Sequence, residues 1–469
     1  MLPNEVLLYI FDFHVINQGW YGIPGPKKET ESWIPLAHVC RRWRSVIFQS
    51  PLCLNLRLVC TSKTRVDMLD TWPPLPLIIR DLNYRRERPE MDNIIAALEH
   101  NDRVCQIELR LLTRSEFEYL TSSAAMQKPF PELTDIYIDI DIYRHDRPEL
   151  ILPRADPDSE LFLGGSAPRL RRLLLDGFSC PGLPKRLLST PHLVDLYLNI
   201  PSSGYIPPEA MATILSALTN LESLGLIFQH PRPRPALEIR RPPPPPQTRT
   251  ILPNLTIIQF KGASEYLEGI LARIDAPRLD NLNINFFNQI IFDLPQLLQF
   301  ISRRPMLWAA KEGRITIFSG TISIGFRSQT YGLTLGISCT ASEWQLSSLE
   351  QVCTSSLPPL SALEDLYIFE FLLDPPHWQD DVENTLWLDL LHPFAAVKNL
   401  NISKRFVPRI AFALQELVGP RTTEVLPTLE NIFLEGLSPS GPLQKGIEKF
   451  VAARQLTSHP VAVSRWERG

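Results

Sequence analysis

The chain has 469 residues, 44% of them hydrophobic and 21% charged, and its 47 Lys plus Arg against 51 Asp plus Glu leave a formal net charge of −4. That length predicts several domains or one elongated array, and that balance argues against a nucleic-acid binder relying on backbone electrostatics. No apolar run is long enough to cross a bilayer, and no basic-then-apolar leader opens the chain, so no membrane partner is expected.

The first predicted element is a helix. Pro3 is tolerated in a first turn and the Glu5 carboxylate favours the helix N-terminus, while Val6, Leu7, Ile10 and Phe11 fall at helical spacing. A segment rich in Gly and Pro, from about Asn17 to Glu31, separates it from a second helical pattern at Leu36, Val39, Cys40 and Trp43. On this stripe Cys40 reads as a packed core thiol, although His38 and Arg41 stand beside it. Two short amphipathic helices cannot cover both stripes, so patterning leaves open a cap for whatever follows or a docking module.

The order Leu2-Pro3-x-Glu5-Val6-Leu7, Ile10-Phe11, then Leu36-x-x-Val39-Cys40-x-x-Trp43-Arg44 resembles an F-box. Two departures are the long connection between the fragments and Trp33 with Pro35, where many members have Asp-Leu. The resemblance implies a helical domain over residues 1–50. In it Leu2, Pro3, Glu5, Val6, Leu7, Ile10, Phe11, Leu36, Val39, Cys40 and Trp43 would dock on a Skp-type adaptor and, through it, a cullin.

Downstream, a unit of the form Pro-x-Leu-x-x-Leu-x-Leu recurs, with its first apolar position at Leu133, Leu170, Leu193, Leu221, Leu255, Leu279, Leu363, Val397 and Leu429. Most gaps lie between 23 and 37 residues, and one of 84 leaves room for two further units near Arg314 to Phe318 and Leu333 to Ile337. Each alternating tail reads as a short strand. The following stretches read as helices at Pro208 to Leu218, Ser264 to Ile274, Pro295 to Arg303, Thr385 to Leu391, Arg409 to Val418 and Leu443 to Arg454. Such a unit cannot bury its apolar face alone, which predicts an α/β fold: a leucine-rich-repeat-like solenoid of parallel strands and helices over residues 51–455, with a tail at 456–469. An eight-unit α/β barrel also alternates strand with helix, but ten or more units and the lack of a polar cluster disfavour it. A Pro-rich insertion at 231–247 predicts polyproline II, and the Ser319-Gly320 turn within 314–338 predicts an inserted β-hairpin.

Catalytic signals are absent from the sequence. No Gly-x-Ser-x-Gly, phosphate loop or metal-ligand spacing occurs, Asp139 and Asp141 lack a third ligand, and no cofactor is expected. Seven cysteines at irregular spacings without a Cys-x-x-Cys pair predict reduced thiols, and hence a cytoplasmic or nuclear setting. What the alternation leaves outward is a row of strand positions. Tyr137, Asp139, Tyr197, Asn283, Tyr367 and Phe433 combine rigid rings with amide and acidic neighbours, as protein-binding surfaces do. Ordinary solvent-facing strand residues would look the same.

The sequence therefore predicts a non-enzymatic substrate receptor of a Skp-cullin-F-box ubiquitin ligase, with the helices on the adaptor and the concave face on an unknown protein target. The alternative is a repeat scaffold with no ligase link. The layout, including Trp33 and the segment Ser342 to Cys353, is similar to the expanded F-box families of mushroom-forming fungi.

Overall fold

A computed structural model describes residues 2–16, 33–49, 57–60, 69, 74–81, 91–140, 166–177, 183–201, 204–229, 249–287, 293–304, 310–318, 320–327, 332–338, 343–356, 360, 362–370, 383–417, 419–436 and 442–466. The Pro-rich insertion at 231–247 and Asp141 lie outside these residues. The chain forms two compact units, Met1–Tyr205 and Ile206–Gly469.

The first unit opens with helices α1 (Asn4–Ile16), α2 (Ile34–Val39) and α3 (Arg41–Gln49). Six strands follow in sequence order: β1 (Leu58–Val59), β2 (Leu77–Asp81), β3 (Val104–Leu112), β4 (Asp135–Ile140), β5 (Arg172–Asp176) and β6 (Asp195–Ile200). Every pairing is parallel, and the register stacks the inward residues in rows: Ile79, Ile107, Ile136, Leu173 and Leu196 in one, Leu109, Ile138, Leu175 and Leu198 in the next. All are buried. Helices Met91–Leu98 and Arg114–Ser122 add Ile94, Leu98, Phe117 and Leu120 to this core. The second helix starts on a capping box, with Thr113 Oγ1 accepting from the Glu116 amide at 3.3 Å and Glu116 Oε2 accepting from the Thr113 amide at 2.7 Å.

The recurring Pro-x-Leu has a physical role. In all nine units the amide of the first apolar residue donates to the carbonyl three residues earlier: Leu133 to Phe130, Leu170 to Ala167, Leu193 to Thr190, Leu221 to Leu218, Leu255 to Leu252, Leu279 to Ala276, Leu363 to Leu360, Val397 to Phe394 and Leu429 to Leu426. Each strand is thus entered through a tight turn, and in six of the nine a proline with its preset φ (Pro131, Pro168, Pro191, Pro253, Pro277 and Pro427) holds the second position of the turn.

The second unit contains β7 (Ser223–Phe228), β8 (Thr250–Ile251), β9 (Ile257–Gly262), β10 (Ile274–Asp275), β11 (Asn281–Phe287), β12 (Glu312–Phe318), β13 (Thr321–Arg327), β14 (Gly332–Ser338), β15 (Asp365–Glu370), β16 (Asn399–Ile402), β17 (Asn431–Glu435) and β18 (Ala462–Trp466). Its main sheet runs β7-β9-β11-β14-β13-β12-β15-β16-β17-β18, and β8 pairs β10 separately. The expected pair of successive units between β11 and β15 is replaced by an inversion. Gly320, at φ 78°, turns β12 back into β13, β13 lies antiparallel between β12 and β14, and β14 rather than β12 is the parallel neighbour of β11.

Two further expectations are corrected. The helix read as Ser264 to Ile274 ends at Leu271, because Ile274 and Asp275 are taken by β10. The segment read as a tail contributes β18, paired in parallel with β17 from Asn431↔Ala462 to Glu435↔Trp466. The long helix Pro442–Leu456 before it buries Arg454 completely, where the guanidinium donates from Nη2 to the Leu426 carbonyl at 2.5 Å. Leu426 itself adopts φ 51°, and the buried charge satisfies the carbonyl of this strained turn.

The N-terminal module and the outward faces of the sheets

In the N-terminal helices the apolar residues serve two different purposes. Phe11 is fully buried and Leu7 nearly so, with the Phe11 ring 4.8 Å from that of half-buried Trp43. These side chains hold the module together. Trp33, expected only as a departure from pattern, is buried against Phe48 at 5.9 Å and donates its indole N–H to the Arg57 carbonyl at 3.0 Å, tying the helices to the approach to β1. By contrast Leu2 (52% exposed), Val6 (39%), Ile10 (45%) and Val39 (59%) face outward. Pro3 and Glu5 are exposed as well, and Leu36 is half-buried. Tyr9, exposed and not among the expected docking residues, stands on α1 beside Ile10 and three positions after Val6.

Cys40 corrects the sequence reading. The apolar stripe through Leu36, Val39, Cys40 and Trp43 is broken there: Cys40 is extended at φ −160°, closes α2, and is exposed rather than packed. Its Sγ accepts the Trp43 amide at 3.4 Å, so a thiol fills the place that a Ser or Asp hydroxyl or carboxylate usually takes at a helix start. Arg42 then reaches back to Asn4 Oδ1 at 3.0 Å and binds α3 to the head of α1.

On the sheet of the first unit the outward residues line up by register. Glu108, Tyr137, Leu174 and Tyr197 form one row, and Asp139, Asp176 and Asn199 the next. Sequence reasoning found the tyrosines, Asp139 and their acidic and amide neighbours, but not Arg80, Glu108, Arg110, Arg172 and Asp176. Glu108 is buried and accepts from Arg80 Nε at 2.8 Å and from Arg110 Nη2 at 2.8 Å, and the Arg110 guanidinium lies 4.4 Å from the Tyr137 ring centroid. Arg172 pairs with Asp135 on the neighbouring strand and has its guanidinium pKa raised, first by that hydrogen bond. Burial pushes the Asp176 carboxyl up, offset by the Asn199 amide, which donates to it at 2.5 Å. Burial also raises the Tyr197 phenol, with Asp176, Tyr137 and Asp139 adding to it.

The second unit presents a different surface. Asn283, Tyr367 and Phe433 all lie outward, in the row Gln259, Asn283, Thr334, Gly325, Arg314, Tyr367, Asn401 and Phe433. Arg314 lies 5.6 Å from the Tyr367 centroid, and Trp466 from β18 reaches to within 5.9 Å of the same ring. An amide ladder crosses the strands beside them, Asn399 donating to Asp365 at 2.7 Å and Asn431 to Asn399 at 2.8 Å. Arg314 and Trp466 were not legible beforehand because the first joins Tyr367 only through the inverted strand order and the second sits on an unforeseen strand.

Residues 1–59 match the F-box-like family. The N-terminal helices are an F-box-like domain. Behind it stands a leucine-rich-repeat-like array, as the parallel ladders and repeated turns of each unit show. Among solved structures, the chain is similar to the crystal structure of the leucine-rich repeat-containing protein LegL7 from Legionella pneumophila. Identity is 11% and the TM-score 0.28, over 84% of this chain and 97% of that one. No curated protein matches the chain. Among the described residues no group of three or more His, Cys, Asp or Glu is placed to hold a metal ion, and no helix is long and apolar enough to cross a membrane.

Proposed function

We propose that this chain is a substrate-recognition subunit of a Skp-cullin-F-box ubiquitin ligase, working in the cytoplasm or nucleus. The F-box-like domain docks on a Skp-type adaptor, and the outward sheet faces hold a protein target. The observation that carries this reading is the outward apolar set of the F-box-like domain, Leu2, Val6, Tyr9, Ile10 and Val39. A helical cap that served only the array has no use for five large apolar side chains in water. The chain contributes positioning and no covalent chemistry: it raises the effective concentration of target lysines near the ubiquitin-carrying enzyme.

The scaffold reading draws on one observation, the Trp33 to Arg57 hydrogen bond, by which the same helices also cap the array. The two are separated by titrating the purified chain with a Skp-type adaptor and then adding a cullin. A ternary complex supports the receptor. A folded chain that binds no adaptor overturns the receptor and leaves the scaffold.

A further inference from the structure

Resting on the reading of the outward sheet faces as the target surface, and deepening it, we propose that the second unit takes a proline-rich segment of the protein partner, lying across its strands as a polyproline II helix. The site is the outward stretch Tyr367, Asn401 and Phe433, walled by Trp466.

The register sets the spacing. Tyr367 on β15, Asn401 on β16 and Phe433 on β17 are partners along one row, so the two aromatic residues stand two strand spacings apart, about 9.6 Å. A polyproline II helix repeats every three residues, about 9.3 Å, so a helix crossing the strands along this row sets one proline per turn against each ring. Both rings are half-buried. Trp466, which pairs with Glu435 one outward step beyond Phe433, reaches over β16 and β17 to within 5.9 Å of the Tyr367 ring. Three rings thus bound a cleft with a carboxamide between them, the kind of aromatic groove that polyproline segments enter. Residues 467–469 lie outside the described residues, and no part of the site is built from them.

Electrostatic complementarity selects the occupant. Asn401 is only 5% exposed, yet its side-chain amide makes no hydrogen bond among the described residues. Amides buried this far are nearly always partnered, so this one is left for a ligand. The Trp466 indole N–H and the Tyr367 hydroxyl beside it are likewise unengaged among the described residues. All three can donate, so the cleft presents the positive ends of three dipoles. A run of prolines is their complement: it offers carbonyl oxygens free of internal hydrogen bonds and has no N–H of its own that would need an acceptor. Its fixed φ also means that little chain entropy is lost when it is held straight across the strands.

The test uses the full chain and two fluorescein-labelled peptides of equal length and charge, an octaproline and an Ala-Gln repeat. In fluorescence polarisation the octaproline is expected to bind at least about tenfold more tightly, the hydrogen bonds to buried donors setting that scale. Asn401→Asp keeps the shape but replaces the donor by an acceptor, and should reduce the octaproline to the level of the repeat. Trp466→Phe keeps a ring and removes the indole N–H, so it should weaken the octaproline by about threefold or more at an unchanged thermal melt, and it decides the matter if Asn401→Asp does not fold. Equal binding of the two peptides overturns the proline-rich occupant. A preference for octaproline unchanged in the folded variants overturns the site. Octaproline that binds only after the prolines of 231–247 are changed to serine overturns the partner's segment in favour of the chain's own insertion, and no binding in either form overturns the proposal outright. Adaptor binding, measured on the same samples, reports on the F-box-like domain separately.

Discussion

Replacing Val6 and Ile10 together by alanine tests the division of labour inside the F-box-like domain. Both side chains are outward, 39% and 45% exposed, so folding has buried only part of each. Full burial of such a side chain is worth about 1.5–3 kcal/mol, and the share still in water leaves about 1 kcal/mol per residue for a partner to gain. The double variant is therefore expected to keep its melting temperature and to weaken adaptor binding by about 2 kcal/mol, or roughly thirtyfold. Phe11→Ala should do the opposite. Its ring is fully buried against Trp43, and its loss costs about 3–5 kcal/mol of stability through lost transfer energy and a residual cavity.

Calorimetric titration with a Skp-type adaptor, beside thermal melts of the same samples, separates the two classes. Leu7, 3% exposed, belongs with Phe11, so a charged residue there unfolds the module and says nothing about docking. A folded Val6→Ala/Ile10→Ala variant that binds the adaptor like wild type refutes the assignment of the outward stripe. A Phe11→Ala variant that melts like wild type refutes the assignment of the core.

Three further outcomes follow from single positions in the array. Gly262→Ala places a Cβ 2.8 Å from both Phe228 Cδ2 and Phe260 Cζ, inside a ring cluster that includes Tyr266, and should lower stability by about 1–3 kcal/mol in urea unfolding. Thr113→Ala removes one half of the capping box and should cost about 1 kcal/mol, while Thr113→Ser retains the bond and most of the stability. Glu268 accepts the Gln296 and Leu297 amides at 2.7 and 2.8 Å, capping the next helix, yet burial outweighs those bonds and raises its carboxyl. A raised folded value means that this group's stabilisation is complete below the ordinary carboxyl range and is lost as pH rises through the folded value. Glu268→Gln, neutral at every pH, should therefore gain on wild type as pH rises from acid to neutral, and a constant difference between the two urea midpoints would contradict the sign.

The strands were legible because Leu-x-Leu has only one reading next to a Pro-x-Leu turn: inward rows such as Ile136, Leu173 and Leu196 must be apolar to be covered. The order of β12 to β14 was not legible. Arg314 to Phe318 and Leu333 to Ile337 alternate like any repeat strand, and a hairpin turn at Gly320 decides only that β13 returns, not which strand β11 meets. β18 escaped for the reverse reason. Ala462 to Arg465 are all exposed, so no inward leucine marks a strand that is held by backbone pairing to β17. Cys40 kept its helical spacing across a real break, since one extended residue between two short helices leaves the apolar period of each nearly intact.

The outward face shows where such reading stops in principle. Alternation assigns Tyr137 and Tyr197 to the open side of their strands, but it is silent on what lies across the ladder from them. Asp176 faces Asp139 on one neighbour and Asn199 on the other only because β4, β5 and β6 pair without slippage. One strand earlier the register does slip: Leu111 takes φ 55°, and Leu112 rather than Leu111 meets Ile140. A slip of one residue in β5 would turn Asp176 inward and Leu175 outward, leaving a carboxylate in the core and a leucine between the tyrosines. The chemistry of this face is thus a property of pairing, fixed by the buried rows beneath it. If this face holds a protein target as proposed, mutations of Leu173 or Leu175 that loosen the register should weaken that binding without altering any outward residue.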